Sequence, residues 1–449
     1  MTWITNALLR TGANRDKENM LWNMIGSFCY AFASMVLSFL VMRLAGEEQG
    51  GIFAFGFSTV GQQMFLLAYF GIRPFQITDG KVTFRFGDYL HLRYVTCLAA
   101  MILGVGYLGF SGYTAGKAVI IFLLIGYKVI DGFADVYESE FQRLGRLDLT
   151  GKSNTFRTVL SVGVFLATLI VSKKLGVACV AAVCGQAAGV WLFDVAVLHG
   201  LEKLIAMNDG ESGMVHGQAG CNPVDYAWSF DRMRVLVAET ILLFVSVFLD
   251  FYVFSAAKYA IDANLNDAAS GYFNVIFMPT SVINLAAGFV IRPFLTYLTI
   301  RWTEQKFEEF AGKLVQLSAV ISGLTVLAVA GVAVLGRPVL GILEMLLGSA
   351  YTGKLTIYEL PFGMIVLGGG FYAILNLYYY ALVIMRKQKV IFGIYLVMAG
   401  VAAVLAPQMV IRGGIFGAAA GYLILMGIMA VGFVGLAWLE YGRGRRASE

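Results

Sequence analysis

The chain has 449 residues, of which 59% are hydrophobic and only 14% are charged, and its mean hydropathy is +0.76. Since a soluble globular protein carries about 25% charged residues, this composition excludes the soluble class and indicates a protein that crosses a membrane several times. The formal net charge of +5 does not indicate a nucleic-acid partner, because the positions of the basic residues relative to the membrane account for it.

Twelve apolar stretches follow one another along the chain, and each is long enough, at ~20 residues, to cross a hydrocarbon core of about 30 Å as a helix. The predicted spans, numbered 1 to 12, are 20–42, 52–72, 91–110, 116–137, 153–172, 175–198, 234–256, 270–291, 313–335, 360–384, 389–407 and 414–438. The sequence therefore predicts an all-α polytopic membrane protein with about 12 transmembrane helices.

The polar stretch 200–230 divides these spans into two sets of six. We expect residues 1–19 to form a cytoplasmic N-terminal segment, 20–199 an N-lobe, 200–230 a cytoplasmic connector, 231–440 a C-lobe, and 441–449 a basic cytoplasmic tail. The first segment has no apolar core followed by a cleavage site, so no cleavable signal peptide is expected.

The basic residues set the predicted orientation. With the N-terminus in the cytoplasm and the spans alternating in direction, most of the 33 Lys and Arg residues fall on the inner side, as the positive-inside rule requires. Both termini are then cytoplasmic, and both lobes enter the membrane in the same direction. The two lobes would be related by a pseudo-symmetry axis along the membrane normal.

One stretch occurs twice. Span 2 contains G-I-F-A-F-G-F from Gly51 and ends in Arg73-Pro74-Phe75, and span 8 contains G-Y-F-N-V-I-F from Gly271 and ends in Arg292-Pro293-Phe294. Gly51 and Phe57 thus correspond to Gly271 and Phe277. The alternative is that these are two unrelated apolar helices with chance triplets, but the flanking spans also fall in register.

Polar residues recur inside the duplicated spans at helical spacing. Gln62 of span 2 shares a face with Ser58 and Arg73, and Asn284 of span 8 aligns with Ser281. Because polar groups that face lipid are costly, equivalent polar faces favour a central hydrated cavity between the lobes. Hydrogen bonding between helices within one lobe is the alternative.

Five charged positions are candidates, three basic ones for substrate binding and two acidic ones for ion coupling. Arg73 and Arg292, one per lobe, could hold a diphosphate in two bidentate contacts, although both could instead reach the headgroups as interface anchors. Lys128 is the deepest cation, and the alternative to ligand contact is an ion pair with Asp131 one turn away.

Glu239 and Asp250 of span 7 are the candidates for coupling to an ion, because a carboxylate inside the membrane is a functional hypothesis by default. The chain shows no catalytic constellation, no metal-ligand spacing and no phosphate-binding loop of the G-x-x-x-x-G-K-[ST] type. We therefore expect neither an enzyme nor a cofactor or metal.

The number of spans, the two lobes and several local patterns resemble the multidrug/oligosaccharidyl-lipid/polysaccharide (MOP) exporter superfamily. The patterns that are similar to its polysaccharide-transporter branch, the O-antigen and capsule flippases, are Gly71-Ile72-Arg73-Pro74-Phe75-Gln76, Glu140-Phe141-Gln142-Arg143 with Arg146-Leu147-Asp148 and Gly151, Lys258-Tyr259-Ala260-Ile261-Asp262, and Phe277-Met278-Pro279.

This resemblance implies a two-lobe transporter of the bacterial cell membrane that moves a polyprenyl-diphosphate-linked oligosaccharide from the cytoplasmic to the outer leaflet by alternating access. It implies a cationic cavity for the diphosphate and glycan, and a glycan polymerase or glycosyltransferase machinery as partner. No nucleic-acid partner is expected.

Two other functions remain open. The drug-exporting (MATE) branch often carries an acidic coupling residue in span 1, where this chain has only Asn, Ser and Tyr. An ion-coupled multidrug or small-metabolite antiporter is therefore the second hypothesis. A membrane-embedded partner of glycan enzymes, without transport of its own, is the third. The lipid II flippase branch carries arginines in span 1, whereas here Arg43 lies only at its outer edge.

Overall fold

The computed structural model describes residues 3–10, 12, 14–78, 83–211 and 224–448. Residues 212–223 of the predicted connector and Glu449 of the predicted tail lie outside this part. The described chain folds almost entirely into helices joined by short turns. A short helix, Trp3–Leu9, precedes the first span.

The helices follow the predicted spans. Spans 1, 3, 4 and 5 are the single helices Arg15–Ala45, Phe86–Phe110, Ala115–Arg143 and Leu147–Ser172. Span 2 consists of Glu47–Phe55, Gly56–Val60 and Gly61–Tyr69, and span 6 consists of Leu175–Gly189, Val190–Val195 and Ala196–Glu211. Spans 7, 9 and 10 are the single helices Phe230–Asn264, Phe307–Leu347 and Glu359–Ile384. Span 8 consists of Asp267–Phe277, Pro279–Ile291, Arg292–Phe294 and Leu295–Thr303. Shorter helices are Arg73–Thr78, Ser349–Tyr351 and Thr356–Tyr358.

Spans 11 and 12 lie within one helical stretch, Gln388–Ser448, which is interrupted at Gly414. Gly414 has φ 54° and ψ −134°, a conformation that glycine adopts without the steric cost of a Cβ. The residue therefore separates the two helices at the boundary that the hydropathy predicted.

Ten helical stretches in the described residues are long and apolar enough to cross a membrane. Gln388–Arg446 counts once among them although it holds spans 11 and 12, and span 4 is absent because of its many charges. Both are helical over the predicted ranges. The predicted fold class, an all-α membrane protein with twelve spans, is confirmed.

The duplicated helices are both interrupted at the same place in the repeat. Span 2 passes through a π-helical turn at Gly56–Val60, and span 8 is broken between Phe277 and Pro279. Proline at 279 has no backbone N–H and begins the second half of span 8. At this break the Met278 backbone N–H donates to the Val275 carbonyl at 3.2 Å, and the Thr280 hydroxyl donates to the Phe277 carbonyl at 2.7 Å. Such interruptions within membrane helices are common beside binding sites.

The chain divides into two compact units, which cut across the predicted lobes. Unit 1 comprises residues 1–45 and 56–244, and unit 2 comprises residues 46–55 and 245–449. The first half of span 2 therefore packs in unit 2, and the first half of span 7 packs in unit 1. The predicted N-lobe and C-lobe were defined by the order of the spans along the chain, and this division into two sets of six spans stays a prediction.

The start of span 7 is fixed onto the start of span 3 inside unit 1. Asp88 accepts hydrogen bonds from the Ser229 backbone N–H at 2.8 Å and from the Arg232 guanidinium at 2.6 Å. The ring of Trp228 stacks on His91 with centroids 4.6 Å apart. These contacts explain why the beginning of span 7 belongs to unit 1.

Within unit 2, the repeated glycines meet each other. A Cβ placed on Gly51 would lie 1.6 Å from the Asp267 carbonyl oxygen, and one on Gly271 would lie 3.3 Å from the Gly51 nitrogen. Near this crossing, Glu47 pairs with the Lys354 ammonium at 2.6 Å and accepts a hydrogen bond from the Tyr272 hydroxyl. Small residues permit such close backbone approach between membrane helices.

We expect Gly51→Ala to lower the thermal unfolding midpoint of the detergent-purified protein, because the added methyl group overpacks the crossing at a cost of about 1–3 kcal/mol. Gly106→Ala, in span 3, is the matched control, because a Cβ there meets no atom within 4 Å. Equal midpoints for the two variants would contradict the close contact.

Candidate functional site

Span 4 carries a row of charged residues on one face of its helix, inside unit 1. Lys128, Asp131, Asp135 and Glu138 recur at helical spacing, and all four are buried. In lipid, a buried charge is costly unless an opposite charge and hydrogen bonds satisfy it. The neighbouring spans supply these partners.

Arg157 of span 5 is the centre of this charge cluster. Its guanidinium lies 3.0 Å from Asp131, 2.8 Å from Glu138 and 2.9 Å from Asp194 of span 6. The side chain is only 3% exposed. One delocalised cation thus joins the carboxylates of spans 4 and 6, as the planar fork of arginine allows.

Two further arginines complete the cluster. Arg93 of span 3 is fully buried, lies 2.9 Å from Asp135, and donates to the Ala68 carbonyl at 2.8 Å. Arg73, the first residue of the short helix that follows span 2, lies 2.6 Å from Asp135 and 3.4 Å from Glu138. Asp135 therefore receives two guanidinium groups.

Lys128 is connected to this cluster through a hydroxyl group. Its ammonium donates to the Tyr30 hydroxyl at 2.9 Å, and this hydroxyl donates to Asp131 at 2.7 Å. The ammonium also lies 4.1 Å from the ring centroid of Phe57 in the π-helical turn. Lys128 thus contacts spans 1 and 2 directly and is linked to Asp131 of its own helix through the Tyr30 hydroxyl.

The predicted substrate residues of unit 1 are therefore placed differently from one another. Arg73 is 24% exposed and also donates to Gln142 at 3.1 Å, so it faces the surface while its guanidinium is held by carboxylates. Lys128 is 2% exposed. Gln62 is partly buried. The structure brings Arg73 and Lys128 into one charge cluster and leaves Gln62 outside it.

In span 8, Arg292 and Asn284 have fewer partners. Arg292 is exposed, and its side chain makes no hydrogen bond or ion pair with any described residue. The Asn284 side-chain oxygen is buried without a hydrogen-bond partner in the same described part. The duplicated arginines thus have unequal surroundings, since Arg73 is bound by carboxylates and Arg292 is not.

The two predicted coupling carboxylates also differ. Glu239 is exposed. Asp250 is partly buried in unit 2 and accepts a hydrogen bond from the Tyr372 hydroxyl at 2.7 Å. The ring of Tyr372 packs on Phe254 with centroids 4.7 Å apart. Tyrosine hydroxyls, rather than a cation, stabilise this carboxylate.

Sequence reasoning missed several members of the charge cluster. Arg93, Arg157 and Asp194 are not among the residues predicted for the site. Asp194 is fully buried and accepts a hydrogen bond from Ser153. The available signal was the charged row on span 4, because a row of buried carboxylates requires cations on its neighbours.

The chain has the fold of solved membrane transporters. A multidrug resistance MATE family transporter of the MOP superfamily, inward-facing, shares 11% identity and a TM-score of 0.60 over 99% of both chains. The eukaryotic MATE transporter AtDTX14 is 14% identical, with a TM-score of 0.61 over 97% of this chain and 99% of that chain. The lipid II flippase MurJ in its inward closed conformation is 12% identical, with a TM-score of 0.66 over 95% of this chain and 90% of that chain.

No protein-family model matches the sequence, and no curated protein does. At identities of 11–14% the likeness is one of fold. The chain is thus a multi-pass helical membrane protein with the fold of the MOP superfamily, as its motifs predicted.

We expect Arg157→Met to destabilise the protein severely. The substitution would leave three buried carboxylates without this guanidinium, and breaking one buried ion pair costs about 3–5 kcal/mol. The measurement is the fraction of monodisperse protein after detergent extraction and stepwise heating.

Arg85→Met provides the matched control, because Arg85 pairs with Asp225 where both side chains are 45% exposed. An exposed pair contributes about 0–1 kcal/mol. If both variants unfold at the same temperature as the unaltered protein, the cluster does not stabilise unit 1.

Proposed function

We propose that the chain is a transporter that moves a polyprenyl-diphosphate-linked oligosaccharide from the cytoplasmic to the outer leaflet of the cell membrane by alternating access. The fold supports this proposal, because it is shared with a flippase of lipid II as well as with MATE transporters. The local motifs that resemble the polysaccharide-transporter branch favour a surface polysaccharide repeat unit as the cargo.

The observation that carries the proposal is the state of the carboxylates in unit 1. Span 1 contributes Tyr30 to Lys128 and has no carboxylate between residues 19 and 46. The three carboxylates that meet Arg157 are each bound by a guanidinium. Carboxylates that are already paired with guanidinium groups are poor sites for a cationic drug, so these contacts weigh against a drug-binding role for this cluster.

Within this function, we assign Arg73 and Arg292 to the diphosphate, and Lys128, Gln62 and Asn284 to the remaining polar contacts of the cargo. Arg292 is exposed and Asn284 has an unsatisfied oxygen, so both have hydrogen-bonding capacity for a ligand. Arg73 would exchange its carboxylate partners for phosphate oxygens. The chain would act without catalysis or a cofactor, beside glycan polymerase or glycosyltransferase partners.

We expect Arg292→Ala to fold normally and to reduce transport about tenfold or more, since a hydrogen bond to a charged group contributes about 1.5–3 kcal/mol. In a deletion host, the lipid-linked oligosaccharide should accumulate on the cytoplasmic face, and surface polysaccharide should disappear. The unaltered gene should reverse both effects, and Arg73→Ala/Arg292→Ala should not.

Arg337→Ala is the control, because Arg337 is also exposed on a membrane span but lies outside the duplicated motif. Full surface polysaccharide with the double variant would remove the diphosphate assignment. Normal surface polysaccharide in the deletion host, together with altered drug sensitivity, would contradict the flippase function and support the antiporter function.

An ion-coupled antiporter of the MATE type is the second candidate, and Asp250 favours it. This carboxylate lies within a membrane span, and tyrosine hydroxyls rather than a described cation surround it. A carboxylate without a cation could bind a proton or sodium ion during transport.

If Asp250 couples transport to an ion, Asp250→Asn should abolish the dependence of transport on pH or sodium, because the amide cannot change its charge. Glu239→Gln should have a smaller effect, since Glu239 is exposed. Transport rates in proteoliposomes across a pH and sodium series give the answer. Unchanged dependence in both variants would make both carboxylates structural.

A further inference from the structure

Span 7 carries a lysine inside unit 2 whose surroundings differ from those of the other buried cations. Lys258 lies six residues before the end of the helix Phe230–Asn264 and is partly buried. Its ammonium lies 3.3 Å from the Asn274 side-chain oxygen and 4.6 Å from the ring centroid of Phe277. Asn274 and Phe277 are buried on span 8.

Lys258 makes no ion pair with any residue that the structure describes. An ammonium group has three donors, and here one amide oxygen accepts from it. The other basic residue of span 7 that is fixed by contacts, Arg232, is bound by Asp88. A buried cation without a counter-ion is costly. Asp262 follows Lys258 by one helical turn, but neither it nor any other described carboxylate lies within ion-pair distance of the Lys258 ammonium.

The repeat provides a comparison within the same chain. Phe277 corresponds to Phe57, and each of these rings lies beneath a lysine ammonium, Lys258 and Lys128 respectively. The Lys128 ammonium is linked to Asp131 through Tyr30, whereas Lys258 has only an amide. A ring face stabilises a cation without neutralising it, so the positive charge of Lys258 remains available.

We propose that Lys258, held by Asn274 and Phe277, forms an anion-binding subsite in unit 2 for an oxyanion of the transported molecule. The inference rests on the proposed function and extends it, because it assigns a cation outside the duplicated arginines. The anion is a phosphate of the lipid carrier or a carboxylate of an acidic sugar, since an ammonium group can donate to the oxygens of either. The interruption of span 8 between Phe277 and Pro279 lies directly beside this subsite.

The test is a binding measurement on the full chain in lipid nanodiscs with farnesyl diphosphate as the probe, farnesol as its neutral analogue, and glucuronate as a competitor. The unaltered protein should bind farnesyl diphosphate more tightly than farnesol. Lys258→Met should weaken this binding about tenfold or more, and Lys258→Arg should retain most of it. Lys174→Met, at an exposed lysine of unit 1, should change nothing.

Displacement by glucuronate that is lost in Lys258→Met would assign the subsite to the acidic sugar. A Lys258-dependent preference for diphosphate over farnesol would assign it to the carrier. Either result supports the subsite. Equal binding of both probes by Lys258→Met and the unaltered protein, with circular dichroism and gel filtration unchanged, would overturn it.

The deletion host separates this proposal from the proposed function. If binding depends on Lys258 while surface polysaccharide persists in the deletion host, the subsite stands and the flippase function fails. If surface polysaccharide requires the gene but Lys258→Met restores it fully and binds the probes normally, the flippase function stands and the subsite fails.

Discussion

The matching of buried charges around Arg157 is the constraint on which unit 1 depends. Three carboxylates from spans 4 and 6 meet one guanidinium that is 3% exposed, and each lies within 3.0 Å of it. In a low-dielectric interior, the mutual attraction offsets desolvation only when the geometry is good and the remaining donors are satisfied. The arrangement therefore fixes the relative positions of spans 4, 5 and 6.

Unit 2 uses the same repeated helix for different chemistry. Two charged residues of span 7 differ in their partners: Asp250 is bound by the Tyr372 hydroxyl, and Lys258 by the Asn274 amide and the Phe277 ring face. Eight residues separate them, which is about 12 Å along a helix, so they do not neutralise each other. Both copies of the repeat keep the helix interruption and an aromatic ring beside a lysine ammonium. An acidic partner, Asp131, is linked to the lysine of unit 1 through Tyr30.

The sequence predicted the features that depend on local composition. Hydropathy located the twelve spans, including the boundary at Gly414, and the spacing of Lys128 and Asp131 indicated charge pairing on span 4. It could not predict that Arg157 meets Asp194, because that contact depends on the packing of two helices. Nor could it show that Gly51 approaches Gly271, or that Glu239 is exposed whereas Asp250 is hydrogen-bonded.

The path of the chain between the units gives span 7 a particular role. The chain passes from one unit to the other at Gly46, at the start of the π-helical turn, and between Phe244 and Val245. Asp88 holds the beginning of span 7, while Asp250 and Lys258 lie beyond the last crossing. One continuous helix therefore carries both the contacts to Asp88 in unit 1 and the proposed anion subsite in unit 2.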